Sequence, residues 1–136
     1  MKKILFICPY PEKVAAGQRL KFEPHFKQLE NCGYQVSTHT FMSIKLWEII
    51  SQEGHYFQKI LGTLLGLYQR ILLLFSLRNY DCIYIFMNVF PFGPAILERL
   101  YIRFSKKVIF DIEDNLLSSE QGSINWLASA LKSKSK

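Results

Sequence analysis

The sequence predicts an α/β fold, a parallel sheet with helices on both faces, and three observations carry the prediction. Short apolar runs recur along the chain with turn residues at their ends. The segments between them return their apolar residues at helical spacing. One run, residues 81–87, is almost wholly apolar, as expected of an inner strand. Strands that alternate with helices in this way argue for a parallel sheet covered above and below.

Each element follows in order. Residues 3–8 form the first strand, an apolar run with basic residues before it and Pro9 after it. The loop PYPEKVAAGQR comes next, irregular because it holds two prolines, a glycine and small residues. A helix fits residues 20–32, where Phe22, Phe26 and Leu29 recur at helical spacing. Pro24 is tolerable there only in the first turn, and Gly33 supplies the stop. Residues 34–41 alternate as a second strand, with Val36, Thr38 and Thr40 on one face.

A helical region is expected over residues 44–77, broken near Gly54. Its apolar positions, Trp47, Ile50, Tyr56, Ile60, Leu64, Leu67 and Ile71, fit a wide stripe. The third strand follows at 81–87, then the turn PFGP and an amphipathic helix over 95–105. A fourth strand over 107–112 runs into the acidic cluster DIED. The fold is Rossmann-like, with one domain over residues 1–117. Residues 118–136 hold a short helical piece near 124–131 and a Lys/Ser tail expected to be unstructured.

Bulk properties bound the function. The 136 residues suffice for one domain and are few for two. With 49% hydrophobic residues the chain is too apolar to be disordered. The net charge of +6 comes from basic residues scattered along the chain, which leaves no stripe for nucleic acid. A basic surface and contact with anionic lipid both remain open. Cys8, Cys32 and Cys82 are odd in number and lack a C-x-x-C pair, which fits buried thiols in a reducing cytoplasm. His25, His39 and His55 show no metal-ligand spacing.

No signal peptide is expected, because the apolar run after the first lysines stops at Pro9. The apolar segment 56–77 contains Lys59, Gln69 and Arg70. Its clean run, 71–75, falls far short of the roughly 20 residues a membrane span needs. It is a helix with a wide apolar face, for which packing on the sheet and docking at a membrane surface both stand.

Ligands of open α/β sheets collect at the carboxyl ends of the strands. Three segments land there. Gly17, Gln18 and Arg19 would offer backbone N–H groups and a guanidinium to a phosphate or to sugar hydroxyls. A plain turn with a surface arginine is the alternative. The loop is neither G-x-G-x-x-G nor a Walker loop, so a dinucleotide or ATP site is not supported. Asp111, Glu113 and Asp114 crowd three carboxylates into four positions, with Asn115 beside them. Such a cluster suits helix capping, cation binding or the orientation of hydroxyls. The NVFPFGP turn offers Phe90 or Phe92 as a sugar-stacking platform, or else as a staple to the core.

These pieces together resemble the N-terminal half of bacterial family-4-like (group 1) glycosyltransferases. The opening KKILFICPYPEKVAAGQRLKFEPHFKQLENCGYQVSTHTF is similar to their first strand, proline-rich loop and Q-R-L helix. YDCIYIFMNVFPFGPAILERLYIRFSKKVIFDIEDNLL is similar to their third and fourth strands, with the F-P-x-G-P turn, L-E-R helix and D-x-D/E-D strand end. The resemblance implies one half of a GT-B fold, the half that binds a glycan or lipid-linked acceptor. It implies transfer of a hexose from a nucleotide-sugar co-substrate with retained anomeric configuration and without a bound metal or other cofactor. By position, Gly17, Gln18, Arg19, Glu113 and Asn115 would contact substrate, while Asp111 and Asp114 would orient hydroxyls or stabilise developing charge.

The donor-binding domain of such enzymes has no counterpart within these residues. The half is therefore expected to be inactive alone, a truncated piece or a partner of a separate donor-binding chain. A cytoplasmic enzyme, peripheral at the inner membrane face, is the implied setting. The alternative is a non-catalytic Rossmann-like module that pairs with such a chain.

Overall fold

The computed structural model describes residues 1–91 and 95–111. Four parallel strands form one sheet: β1 (Lys2–Cys8), β2 (Tyr34–Thr40), β3 (Cys82–Phe86) and β4 (Val108–Asp111). Their spatial order is β2-β1-β3-β4. The chain therefore steps from β1 to one side, crosses back, and continues on the other side. That reversal places a topological switch point between β1 and β3.

Pairing is in continuous register, Ile4 beside both Val36 and Cys82, and Phe86 beside Asp111. β1 has neighbours on both edges and helices on both faces, so Leu5, Phe6, Ile7 and Cys8 are all buried. This is the α/β architecture the alternation predicts.

The two faces hold separate cores. Leu5, Ile7, Ile83 and Ile85 point to one side, where they meet Leu77 and Tyr101. Phe6, Cys8 and Phe86 point to the other, where Phe22 stacks on Phe6 and Phe26 packs tilted against it, at centroid distances of 5.4 and 4.7 Å. Burial of these side chains is the main favourable contribution, about 1.5–3 kcal/mol for each fully buried aliphatic or aromatic residue.

The helix expected over residues 20–32 is three pieces: α1 (Ala16–Lys21), a 3-10 turn (Glu23–His25) and α2 (Phe26–Asn31). Pro24 is the reason. Its ring cannot donate an N–H to a continuous ladder, and it sits instead at the start of the 3-10 turn. Gly33, at φ 86°, ends α2 as expected.

The region over 44–77 divides into α3 (Ile44–Ile50) and α4 (Tyr56–Leu74) at Gly54, whose φ is 80°. Ser43 caps α3, its Oγ accepting the Leu46 N–H at 3.2 Å. α5 spans Ile96–Phe104 and packs Tyr101 into the first core.

The apolar stripe predicted across this region splits. Trp47 and Ile50 join a third cluster with Phe41, Met42 and Leu46 at the carboxyl end of the sheet. In α4 the buried residues are instead Lys59, Thr63, Gly66 and Arg70. Tyr56, Ile60, Leu64 and Ile71 face outward. Leu67 is half-buried, and α4 still packs on the sheet, through Gly66, Arg70, Leu73 and Leu74 rather than through the exposed part of that stripe.

Two further expectations need correction. Cys32, expected to be buried, is exposed just after α2, whereas Cys8 is buried and Cys82 half-buried. The acidic cluster beyond Asp111, the turn residue Phe92, the short helix near 124–131 and the tail lie outside the described residues.

Candidate functional site

The carboxyl ends of β1, β3 and β4 meet α1 on one face of the sheet. Asp111 is the last residue of β4, and Lys21 closes α1 above it. Lys21 Nζ donates to Asp111 Oδ1 at 2.7 Å, and the Tyr84 hydroxyl donates to Oδ2. Partial burial pushes the Asp111 carboxyl up, but Lys21 and Tyr84 together hold it below the usual carboxylate range. Burial and the adjacent carboxylate drive the Tyr84 phenol upward, so it stays a proton donor across the neutral range. The Lys21 ammonium also stands 5.5 Å from the centroid of the Phe86 ring. The result is a half-exposed polar triad of one anion, one cation and one hydroxyl.

The turn after β3 is strained. Met87 takes φ 66°, a left-handed value unusual for a residue with a side chain. The Asn88 N–H bonds back to Phe86 O at 2.8 Å, which closes a three-residue turn. The Met87 N–H donates to Asp111 O at 2.8 Å, tying this turn to β4. From α5, Glu98 Oε1 accepts the N–H groups of Val89 and Phe90 at 2.9 and 3.3 Å. Such local strain, worth about 1–3 kcal/mol, concentrates at functional sites in proteins.

The loop after β1 is held by Gln18. Its side chain is buried, with Oε1 accepting from Tyr10 N and Nε2 donating to Tyr10 O, both at 3.0 Å. Gln18 therefore shapes the loop from inside. Gly17 lies half-buried in the first turn of α1 and does not use a positive φ. Arg19 is exposed on α1. Of the seven residues singled out from the sequence, Asp111 stands in the triad. Gly17, Gln18 and Arg19 lie on the helix that brings Lys21 to it. Glu113, Asp114 and Asn115 lie outside the described residues. Phe90 packs tilted against Phe41, centroids 5.6 Å apart, within the third cluster, the stapling arrangement.

Lys21, Tyr84 and Met87 were not legible as site residues. Tyr84 carried a faint signal, the single hydroxyl in the strand CIYIF. Lys21 carried none, because its partner is 90 positions away.

A second polar group sits at the opposite edge of the strand ends. Arg70, fully buried, donates from its two terminal nitrogens to Cys8 O at 2.7 Å and to His39 O at 3.1 Å. It also donates to His39 Nδ1 at 2.9 Å. A guanidinium can only donate, so Nδ1 is the acceptor and the His39 ring is neutral. Burial first, and Arg70 second, lower the His39 pKa to about 4. Burial likewise lowers Arg70 to about 10, which leaves it charged at neutral pH. The Cys8 thiol, pushed up to about 12 by burial, is no nucleophile.

Cavities lie away from the triad. One of about 520 Å³ is lined by Leu74, Phe75, Arg78 and Phe104. Another of about 420 Å³ runs along α3 and α4, past Lys45, Leu61 and Leu65. Two others reach the carboxyl end of β2, one of about 420 Å³ at His39, Gln69 and Ser76 and one of about 210 Å³ at Thr40, Phe41 and Gln69. We weight the strand-end triad above them as a site of chemistry, because it joins an ionised carboxylate, an ammonium and a hydroxyl through direct hydrogen bonds.

The fold and the triad define a Rossmann-like α/β domain with polar side chains gathered at its strand ends. Comparison with known proteins adds no family: no family model, no curated protein and no solved structure matches the chain.

Proposed function

We propose that this chain is the acceptor-binding half of a glycosyltransferase. In this reading a hexose passes from a nucleotide-sugar to a glycan or lipid-linked acceptor. The donor-binding half is supplied by a further domain or a partner chain. The observation that supports it most is Asp111, held between Lys21 and Tyr84 at a strand end beside the switch point. An ionised carboxylate with a neighbouring hydroxyl and ammonium matches the alternating donors and acceptors of a sugar ring.

Arg19 and Gly17 would approach the donor phosphate across the cleft, and Glu113, Asp114 and Asn115 would complete the acceptor side. The enzyme would work at the inner face of a membrane, where lipid-linked acceptors reside. A nucleotide-sugar serves as co-substrate, with no resident metal or cofactor.

Calorimetric titration of the chain with short glycans, and separately with nucleotide-sugars, tests the reading. Saturable glycan binding that weakens in Asp111→Asn, with no nucleotide-sugar binding, is expected. Nucleotide-sugar binding without glycan binding would sink it.

The pairing-module alternative has its own support. Among the described residues β4 is an edge strand, and Ile109 and Phe110, on its opposite faces, are 46% and 37% exposed. Apolar residues on both faces of an open edge suit a further strand or a covering partner. Co-purification with a donor-binding chain, without any glycan binding, would favour that module over the enzyme half.

A further inference from the structure

We infer that the outward half of α4 is a docking surface for an anionic lipid bilayer. The inference rests on the peripheral-membrane part of the function proposed above and not on its sugar-transfer part. α4 is inside out relative to an ordinary surface helix. Its two cations, Lys59 and Arg70, are 4% and 0% exposed, while Phe57, Leu64, Tyr68 and Phe75 at its outer side are all more than half exposed. At 100° per residue, the exposed positions from Tyr56 to Phe75 sweep about half the circumference. No charged side chain interrupts that half.

The helix keeps this orientation because the polar groups of its inner face, apart from Arg70 Nε, find hydrogen-bond partners. Lys59 Nζ donates to Gln52 O, Thr63 Oγ1 to Lys59 O, and Arg70 to the strand-end carbonyls. No helix among the described residues is long and apolar enough to cross a membrane. With 19 residues, about 28 Å long, α4 instead suits the plane of the interface.

The border of the patch selects the lipid. Arg78 lines the cavity beside Phe75 and Phe104, and Lys45 lines the one beside Leu61, which it shares with Glu48. Both cations are exposed, and the chain carries a net charge of +6. An apolar strip with Arg78 at one border and Lys45, beside the exposed Glu48, at the other matches acyl chains under acidic headgroups, with apolar residues entering about 5–10 Å and the cations at the phosphates.

Co-sedimentation of the whole chain with vesicles tests this. The wild type is expected to bind phosphatidylglycerol-containing vesicles roughly tenfold more tightly than pure phosphatidylcholine, and less tightly in high salt. Phe57→Glu/Leu64→Glu, both exposed, should bind roughly tenfold more weakly with an unchanged unfolding midpoint. Lys45→Glu/Arg78→Glu should lose the preference for acidic vesicles. A wild type that ignores every vesicle overturns the peripheral-membrane reading together with this surface. Equal binding by wild type and Phe57→Glu/Leu64→Glu overturns the docking surface and leaves that reading standing. A dimeric wild type made monomeric by Phe57→Glu/Leu64→Glu, with neither bound to lipid, assigns the strip to a second copy and overturns the inference.

Discussion

Arg70 carries a charge into the interior, and no carboxylate lies within ion-pair distance of it among the described residues. It persists because its donors meet the carbonyls at the ends of β1 and β2. Replacing it with Met keeps the apolar stem and strands those acceptors. Unsatisfied buried groups cost about 1–3 kcal/mol each, so Arg70→Met should lower stability by about 3 kcal/mol or more in urea unfolding. A loss under 1 kcal/mol would mean that water replaces the guanidinium.

His39 adds a pH dependence with a defined sign. Its folded pKa is about 4 against an ordinary 6.5, so the unfolded chain binds the extra proton first. Stability is therefore complete above about pH 6.5 and falls as pH drops toward 4, by at most about 3 kcal/mol and less for a ring only partly buried. His39→Gln should flatten that slope in thermal melts between pH 7 and 4. A variant as pH-sensitive as the wild type would show the slope to lie elsewhere.

At the scale of elements, α4 approaches its neighbours through two glycines. A Cβ on Gly66 would stand 2.9 Å from two ring carbons of Phe41 and from the Phe41 carbonyl oxygen. Backbone cannot yield there, so Gly66→Ala should destabilise by about 1–3 kcal/mol. A Cβ on Gly62 meets only the Leu46 side chain, at 3.0 Å and beyond. That end is flexible, and the gain in helix propensity of about 1 kcal/mol offsets the contact. Denaturant midpoints for the two variants should differ in this order, and equal losses would contradict the packing described. Capping has its own measure: Ser43→Ala should cost about 1 kcal/mol through the lost bond to Leu46 N.

The element boundaries show where sequence reading succeeds. β1, β2, the break at Gly54 and the stop at Gly33 were legible because apolar runs, alternation and glycine act locally. The division of α1 from α2 was half legible, since Pro24 marks a break but not the 3-10 turn it makes.

For the molecule as a whole, the sheet sets the hierarchy of stability. β1 is paired on both sides and buried, whereas β4 is, among the described residues, an edge with exposed apolar residues. Hydrogen exchange should find the amides of β1 and β3 protected close to the global unfolding free energy, and those of β4 exchanging through local opening. Uniform protection across the four strands would contradict an open edge.

By itself, the amino-acid sequence determined the α/β class, the four strands and the candidate Asp111. Each of these depends on neighbours within a few positions, so periodicity and turn chemistry reveal them. Only the tertiary structure decided which side of α4 faces in and that Lys21 and Tyr84 hold Asp111. Periodicity shows that a helix has an apolar side but not what lies beneath it. Two glycines permitting close approach, and strand-end carbonyls able to satisfy a guanidinium, were enough to bury the polar side of α4. The Lys21–Asp111 contact joins residues brought together only when α1 and β4 pack at the same end of the sheet.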